Sequence, residues 1–156
     1  MKNFIIPNAY LSSTVYDNLV PKDDFLRLLL ELIDWREMVW DLCKLAKNDE
    51  GGRPRYNHVL LFKMLFLSFL FNTSDRDTEE LCTNNIRCKF FLGLELQENA
   101  PDFTTLCRFR NDLLAQFGKE WLDDVFSQII AECKKLGVKF GAVHALDATH
   151  SIARVD

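Results

Sequence analysis

The sequence predicts a mainly α-helical chain that ends in a short β-hairpin, and three observations support this fold class. Apolar residues recur at helical spacing from Pro21 to Gly137. From Lys139 onward this spacing gives way to a short run whose alternate residues form two apolar faces, which is typical of a buried strand. Hydrophobic residues make up 48% and charged residues 27% of the 156 positions, as in globular proteins that bury a core.

The first predicted helix begins at Pro21, because proline is favoured in the first turn of a helix. Asp23 and Asp24 lie near the positive end of its dipole. The apolar stripe that follows consists of Phe25, Leu28, Leu29, Leu32 and Ile33. A break near Asp34 separates this helix from a second one at residues 35–47, which ends in the segment NDEGG.

The third helix is predicted at residues 56–71. Its apolar run of 13 residues from Val59 to Phe71 is shorter than the ~20 needed to span a bilayer, so a buried central helix is favoured over a membrane span. Lys63 lies within this run and is expected to extend to the surface or to pair with an acidic residue. The three tryptophans, at positions 35, 40 and 121, are expected to be core or helix-contact residues.

Capping signals define two short helices after the central one. Ser74 is a predicted N-cap, and acidic residues suit the first turns of the helix that it begins. Residues 86–92 form a second short helix, which ends at Gly93 in a predicted C-cap. Residues 95–101 are predicted to be a loop.

Two longer helices are predicted to follow that loop. Asp102 caps the first of them, and Gly118 ends it. Its apolar side consists of Phe103, Leu106, Phe109, Leu113 and Phe117. Residues 120–136 form a final amphipathic helix, which Gly137 ends.

A change of period marks the predicted domain boundary. Residues 139–146 are a predicted strand, and residues 151–155 are its predicted antiparallel neighbour. Two strands alone do not make a stable sheet. The predicted organisation is therefore a helical domain at residues 1–137 and the beginning of an α/β domain at residues 138–156.

The charge distribution restricts the classes of nucleic-acid binder that the chain can be. Its net charge is −4, which counts against strong non-specific binding. Residues 1–50 carry six basic and nine acidic side chains, whereas residues 51–119 carry nine basic and eight acidic ones. A local cationic patch in the middle segment is still compatible with phosphate contact.

Cysteines and histidines give no support to a zinc site. The five cysteines form no CxxC pair, and they are expected to be reduced cytosolic thiols, several of them in helix cores. His144, Asp147 and His150 could suggest a metal site, but on a continuous strand the two histidines face away from Asp147. The N-terminus lacks a signal-peptide pattern, so a cytoplasmic location is predicted.

The region from Ser74 to Phe117 can form a unit of three helices that places one helix in a DNA major groove. The candidate reading helix is the one that Asp102 caps. Opposite its apolar side, and at its flank, are the polar residues Thr104, Thr105, Arg108, Arg110 and Asn111. The alternative interpretation is the solvated face of an ordinary bundle helix.

Several motifs strengthen the DNA-binding interpretation. The segment PDFTTLCRFR, residues 101–110, resembles a signature of the InsH-like N-terminal domain of bacterial DDE transposases. The segments GRPRY at 52–56, SDR at 74–76 and RCKFFLGL at 87–94 resemble other motifs of that family, in the same order. Residues 18–35 look like its opening helix. The resemblance covers residues 18–156.

This resemblance implies a DNA-binding helical domain joined to an RNase H-like catalytic domain. Asp147 would be the first catalytic carboxylate and a ligand of Mg²⁺, which clamps the attacking and leaving oxygens of a phosphodiester. The second Asp and the Glu of that site are expected beyond residue 156, so the chain is predicted to be truncated and inactive alone. The expected DNA contacts, to the inverted repeats of a transposon, are Arg87, Lys89, Thr104, Thr105, Arg108 and Arg110.

A second hypothesis is a helical protein-interaction module. The acidic balance and apolar stripe of residues 1–50 fit a surface that faces protein. Such a chain could form a homo-oligomer, or it could pair with full-length transposase and inhibit it as an inactive remnant. The DNA-binding hypothesis instead predicts association with the bacterial nucleoid.

Overall fold

The computed structural model describes residues 8–40, 57–135 and 137, and these residues form helices, turns and loops without a strand. In chain order the helices are α1 (Asn8–Leu19), α2 (Phe25–Leu32), α3 (Trp35–Met38), α4 (His58–Phe71), α5 (Asp75–Asn84), α6 (Ile86–Leu92) and α7 (Phe103–Lys135). The mainly α prediction is confirmed for these ranges. The predicted strands at 139–146 and 151–155, with Asp147, His144 and His150, lie outside them.

Capping interactions begin or end three of the helices. The helix that was predicted to begin at Pro21 begins instead after Asp24. The predicted caps Ser74 and Gly93 are confirmed, and Asn85 is a cap that was not predicted. Asp24 accepts a hydrogen bond from the Leu26 amide at 2.9 Å and begins α2. Ser74 begins α5, and Asn85 begins α6. Gly93 ends α6 with φ of 75°, in the left-handed region that favours glycine.

Helix α4 is the centre of the hydrophobic core. Phe62, Met64 and Leu67 are fully buried, and α4 packs against α5, α6 and α7. A helix that is apolar on all sides is stable only when other elements surround it. The expected buried central helix is therefore confirmed, and no helix in the described ranges is long and apolar enough to cross a membrane.

Lys63 is partly buried beside this core. Its Nζ donates to the Phe91 carbonyl at 3.2 Å and lies 5.8 Å and 5.5 Å from the ring centres of Trp35 and Phe91. Burial lowers the pKa of Lys63 to about 8. The expected partner was solvent or a carboxylate; the observed partners are a carbonyl oxygen and two ring faces.

Helix α1 was not predicted from the sequence. Long-range contacts hold it: the Tyr16 hydroxyl donates to the Leu94 carbonyl at 2.6 Å. Arg27 donates to the carbonyls of Tyr16 and Val20 at 3.1 Å and 3.0 Å, and its guanidinium lies 4.5 Å from the ring centre of Phe90.

The two predicted longer helices are both present, and a kink at Gly118, whose backbone is not helical, separates them within α7. The backbone there has φ of 82° and ψ of 166°, a conformation that is essentially restricted to glycine. Residues 103–117 form the segment before the bend, and residues 119–135 form the segment after it. Each segment buries one side in the core, at Leu106, Phe109 and Leu113 before the bend and at Val125 and Ile129 after it.

Two expectations about individual side chains have different outcomes. Trp35 is buried, but Trp40 is 70% exposed because α3 ends at Met38 and Trp40 lies beyond its C-cap; its predicted place in the core is wrong. Cys82, Cys88 and Cys133 are buried and Cys107 is half-buried, all as free thiols. A hydrogen bond to Cys88, together with burial, raises the pKa of the Cys82 thiol and makes it inert at neutral pH.

Candidate nucleic-acid interface

Helices α5 and α6 and the first segment of α7 form the predicted three-helix unit. Helix α5 packs against both of its partners. Three contacts join the N-terminal half of α5 to the first eight residues of α7. Asp75 pairs with Arg110, Arg76 lies over the Phe103 ring, and Glu79 accepts a hydrogen bond from the Phe103 amide at 2.8 Å. The segments SDR and PDFTTLCRFR, which are 25 residues or more apart in the chain, are thus in direct contact.

The Asp75–Arg110 pair is bidentate. Arg110 Nη1 lies 2.6 Å from Asp75 Oδ1, and Arg110 Nη2 lies 2.5 Å from Asp75 Oδ2. The side chains are 32% and 18% exposed, so water screens the pair only in part. The hydrogen bonds to Asp75 raise the pKa of Arg110. Arg110 was predicted to contact DNA, but in the structure it fixes α5 against α7.

Carboxylates already occupy the N-terminus of α7. Asp102 accepts hydrogen bonds from the Thr105 amide and hydroxyl, each at 2.9 Å, and from the Thr104 hydroxyl. The Thr104 hydrogen bond is the largest of the effects that lower the pKa of Asp102 to about 2. With Glu79 on the Phe103 amide, the donors at this end have partners. Because these donors are engaged, a DNA phosphate has no free amide or threonine hydroxyl to bind here.

The outward face of the first segment of α7 is polar. The exposed residues of this segment are Thr104, Arg108, Asn111, Asp112, Ala115 and Gln116. The opposite side is buried at Leu106, Phe109 and Leu113. Arg108 makes no hydrogen bond or ion pair with the rest of the described chain, and the Asn111 amide has one weak contact, to Cys107 Sγ at 3.8 Å. This face therefore offers a guanidinium and an amide one helical turn apart.

Arg87 and Lys89, two further predicted DNA contacts, have partners inside the fold. The Arg87 guanidinium pairs with Asp24, whose side chain is 6% exposed, while the Arg87 side chain itself is 46% exposed. Lys89 is buried, and its ammonium donates to the carbonyls of Leu96, at 2.9 Å, and Glu98. DNA contact by Lys89 is not retained, because contact would require breaking these hydrogen bonds and exposing the side chain.

Arg76 is a cation of this surface that sequence reasoning did not assign to DNA. It is exposed, and its guanidinium carbon lies 4.2 Å from the ring centre of Phe103. Its position within the SDR segment was the only sequence signal. The aromatic partner is 27 residues further along the chain and cannot be identified from local spacing.

The side of α5 that faces away from α7 is acidic. An open cavity of about 460 Å³ lies there, lined by Thr73, Asp77, Glu80, Leu81, Asn84 and Asn85. Within the described ranges no three His, Cys, Asp or Glu residues are grouped to hold a metal ion. The carboxylates Asp77 and Glu80 would repel a phosphate backbone, so the α7 side is the better candidate for DNA.

Comparison with known proteins identifies the family. No curated protein and no solved structure matches the chain. Residues 14–112 match the family described as transposase domain (DUF772). The match covers more than half of the chain, from α1 to the first segment of α7, and includes every α5–α7 contact described above. The chain therefore belongs to the transposase domain (DUF772) family, and its role is in transposition.

Proposed function

We propose that the chain recognises the DNA at a transposon end by placing the outward face of α7 in the major groove. The observation that carries this proposal is the pair Arg108 and Asn111, which project from one exposed face while the Arg108 guanidinium has no partner among the described residues. Transposition requires contact with DNA, and this face is the part of the three-helix unit where unused hydrogen-bonding groups are concentrated.

The chemistry of the two side chains fits base recognition. Arginine forms two parallel hydrogen bonds with the major-groove edge of guanine, and asparagine does so with adenine. The segment 103–117 is about 22 Å long at 1.5 Å per residue, and the major groove, about 12 Å wide, admits an α-helix. The Asp75–Arg110 pair supports this segment from α5, so that the reading face is held on a rigid base.

The surrounding charges favour selective over non-specific binding. Residues 75–117 carry five basic and eight acidic side chains. Three of the acidic residues already have partners within the fold. Asp75 pairs with Arg110, and Glu79 and Asp102 accept hydrogen bonds from backbone amides at the N-terminus of α7. With few free cations, the protein should neutralise few phosphates, and its affinity should depend weakly on salt.

Catalysis is a separate part of the proposal. In the complete family enzyme, Mg²⁺ would be held by carboxylates, of which Asp147 would be the first. Asp147 lies outside the described residues, so the assignment rests on the resemblance alone. If Asp147 is such a ligand, Mg²⁺-dependent cleavage of transposon-end DNA should be lost in Asp147→Ala, and cleavage that persists in this variant would contradict the assignment.

The DNA-binding proposal is tested by fluorescence anisotropy with a duplex of about 30 base pairs, or three helical turns, taken from the end of the encoding element. A scrambled duplex of the same composition is the reference. Arg108→Ala should weaken binding to the end sequence about ten-fold and bring it close to that of the scrambled duplex, because one bidentate base contact is lost.

Lys134→Ala is the matched control for that experiment, since it removes one exposed cation near the end of α7. It should leave the preference for the end sequence unchanged. Equal losses in the two variants would mean that Arg108 contributes only general charge. If the wild-type chain binds neither duplex and light scattering shows a stable oligomer, the protein-interaction hypothesis replaces this one.

A further inference from the structure

Arg76 has an arrangement that none of the other described cations on this surface shares. Its guanidinium is exposed, stacks on the Phe103 ring at 4.2 Å, and makes no ion pair with the rest of the described chain. By contrast, Arg87 and Arg110 are both paired with carboxylates. Arg76 is therefore held in a fixed place while its hydrogen-bond donors are unused.

Three of the four acidic residues near Arg76 have other partners. Asp75 is bound by Arg110, Asp77 accepts a hydrogen bond from the Ser74 hydroxyl at 2.6 Å, and Glu79 caps α7. Glu80 is one turn further along α5 and lines the acidic cavity. The first five residues of α5 thus contain three carboxylates, yet the Arg76 guanidinium packs on an aromatic ring of α7.

We infer that Arg76 binds a backbone phosphate of the DNA beside the groove that α7 occupies. The inference rests on the proposed function and extends it to a second element. In helix-turn-helix proteins the first helix crosses the sugar-phosphate backbone while the recognition helix enters the groove with its N-terminal residues. Helix α6 directly precedes α7 in the chain, but α5 also packs against α7, and its Arg76 lies over Phe103, the first residue of α7.

The stack prepares the guanidinium for such a contact. A ring covers one face of the guanidinium plane and engages none of its N–H groups, which point outward in that plane. Because the ring already restricts the side chain, a phosphate that binds there does not have to order a free arginine. Arg76 would position the duplex, and Arg108 and Asn111 would read its sequence.

A purely structural role for Arg76 makes a different prediction. If its contact with Phe103 only joins α5 to α7, then Arg76→Ala lowers the stability of the fold and leaves the salt dependence of DNA binding unchanged. If Arg76 neutralises a phosphate, the same variant lowers the slope of log K against log salt concentration by about 0.9.

The experiment measures that slope for the full chain with both duplexes, at a temperature where circular dichroism shows every variant folded. Arg76→Ala should lower the slope by about 0.9 on both duplexes, because phosphates carry no sequence information. Arg76→Lys should retain the slope, because it retains the charge. Arg36→Ala, which removes an exposed cation from α3, is the control and should retain it as well.

A fourth variant tests the stack itself. Phe103→Leu keeps every charge but removes the ring, so it should retain the slope and weaken binding several-fold at fixed salt. An unchanged slope in Arg76→Ala overturns the phosphate contact, and wild-type affinity in Phe103→Leu overturns the role of the stack. If the wild-type chain binds neither duplex, the proposed function as a whole is overturned. If the wild-type chain binds, and Arg108→Ala weakens binding while Arg76→Ala does not, only the Arg76 contact is refuted.

Discussion

Removing Asp75 and Arg110 singly and together measures how strongly the pair joins α5 to α7. The charge centres are about 4 Å apart, and at an effective dielectric constant of ~20 their attraction is about 4 kcal/mol. Fixing the arginine side chain costs about 2 kcal/mol. The Arg110 and Asp75 side chains are 32% and 18% exposed, so both are partly desolvated, which lowers the net free energy of the pair further. We therefore expect a coupling of about 1.5 kcal/mol, or a change in melting temperature of about 4 °C.

The assay is a double-mutant cycle by urea unfolding, with Asp75→Asn, Arg110→Met and the double variant. The matched control is the exposed pair of Lys135 and Glu132, also at 2.6 Å, for which a coupling of about 0.3 kcal/mol is expected. The reasoning is refuted if the Asp75–Arg110 coupling does not exceed that of the control pair. The reasoning also fails if salt weakens the two couplings equally, because partial burial should shield the Asp75–Arg110 pair from screening by ions.

Three further predictions concern stability. Between pH 8 and 10.5 the unfolded chain binds more protons at Lys63 than the folded one, so the free energy of unfolding should rise with pH; Lys63→Met should flatten this rise in urea titrations at several pH values. Asp102→Ala should cost about 1 kcal/mol near neutrality. Because the pKa of Asp102 is lowered from 3.8 to about 2, that difference should disappear as the pH falls through this range, and a constant difference would contradict the capping account. Tyr16→Phe should cost about 1–2 kcal/mol by leaving the Leu94 carbonyl without its donor, and hydrogen exchange should show faster opening of α1; no change in either would contradict the anchoring role.

The helix boundaries could be predicted because their signals are local. Ser74, Asn85 and Asp102 each cap a helix through an amide two or three residues away. Gly93 shows its role by its place after the last apolar residue of α6. Such signals lie within one turn of the chain, and no tertiary contact is needed to interpret them.

Long-range partners could not be predicted in the same way. Helix α1 carries no strong apolar stripe, and the hydrogen bond from Tyr16 to Leu94 spans 78 residues. Lys89 resembles a surface cation in sequence, but carbonyls of the following loop enclose its ammonium. The PDFTTLCRFR segment predicted the beginning of α7 and its cap at Asp102. Which of its arginines is unpaired, Arg108 and not Arg110, depends on Asp75, 35 residues earlier.

The kink at Gly118 restricts which residues can occupy that position. No heavy atom lies within 4 Å of the place where a side chain would begin, so bulk would be tolerated there and only the torsion angles forbid it. A substitution there would therefore strain the backbone, and straightening the run to relieve that strain would pull one of its two segments away from the core residues that it packs against. The angle between the two segments of α7 therefore depends on glycine at this position.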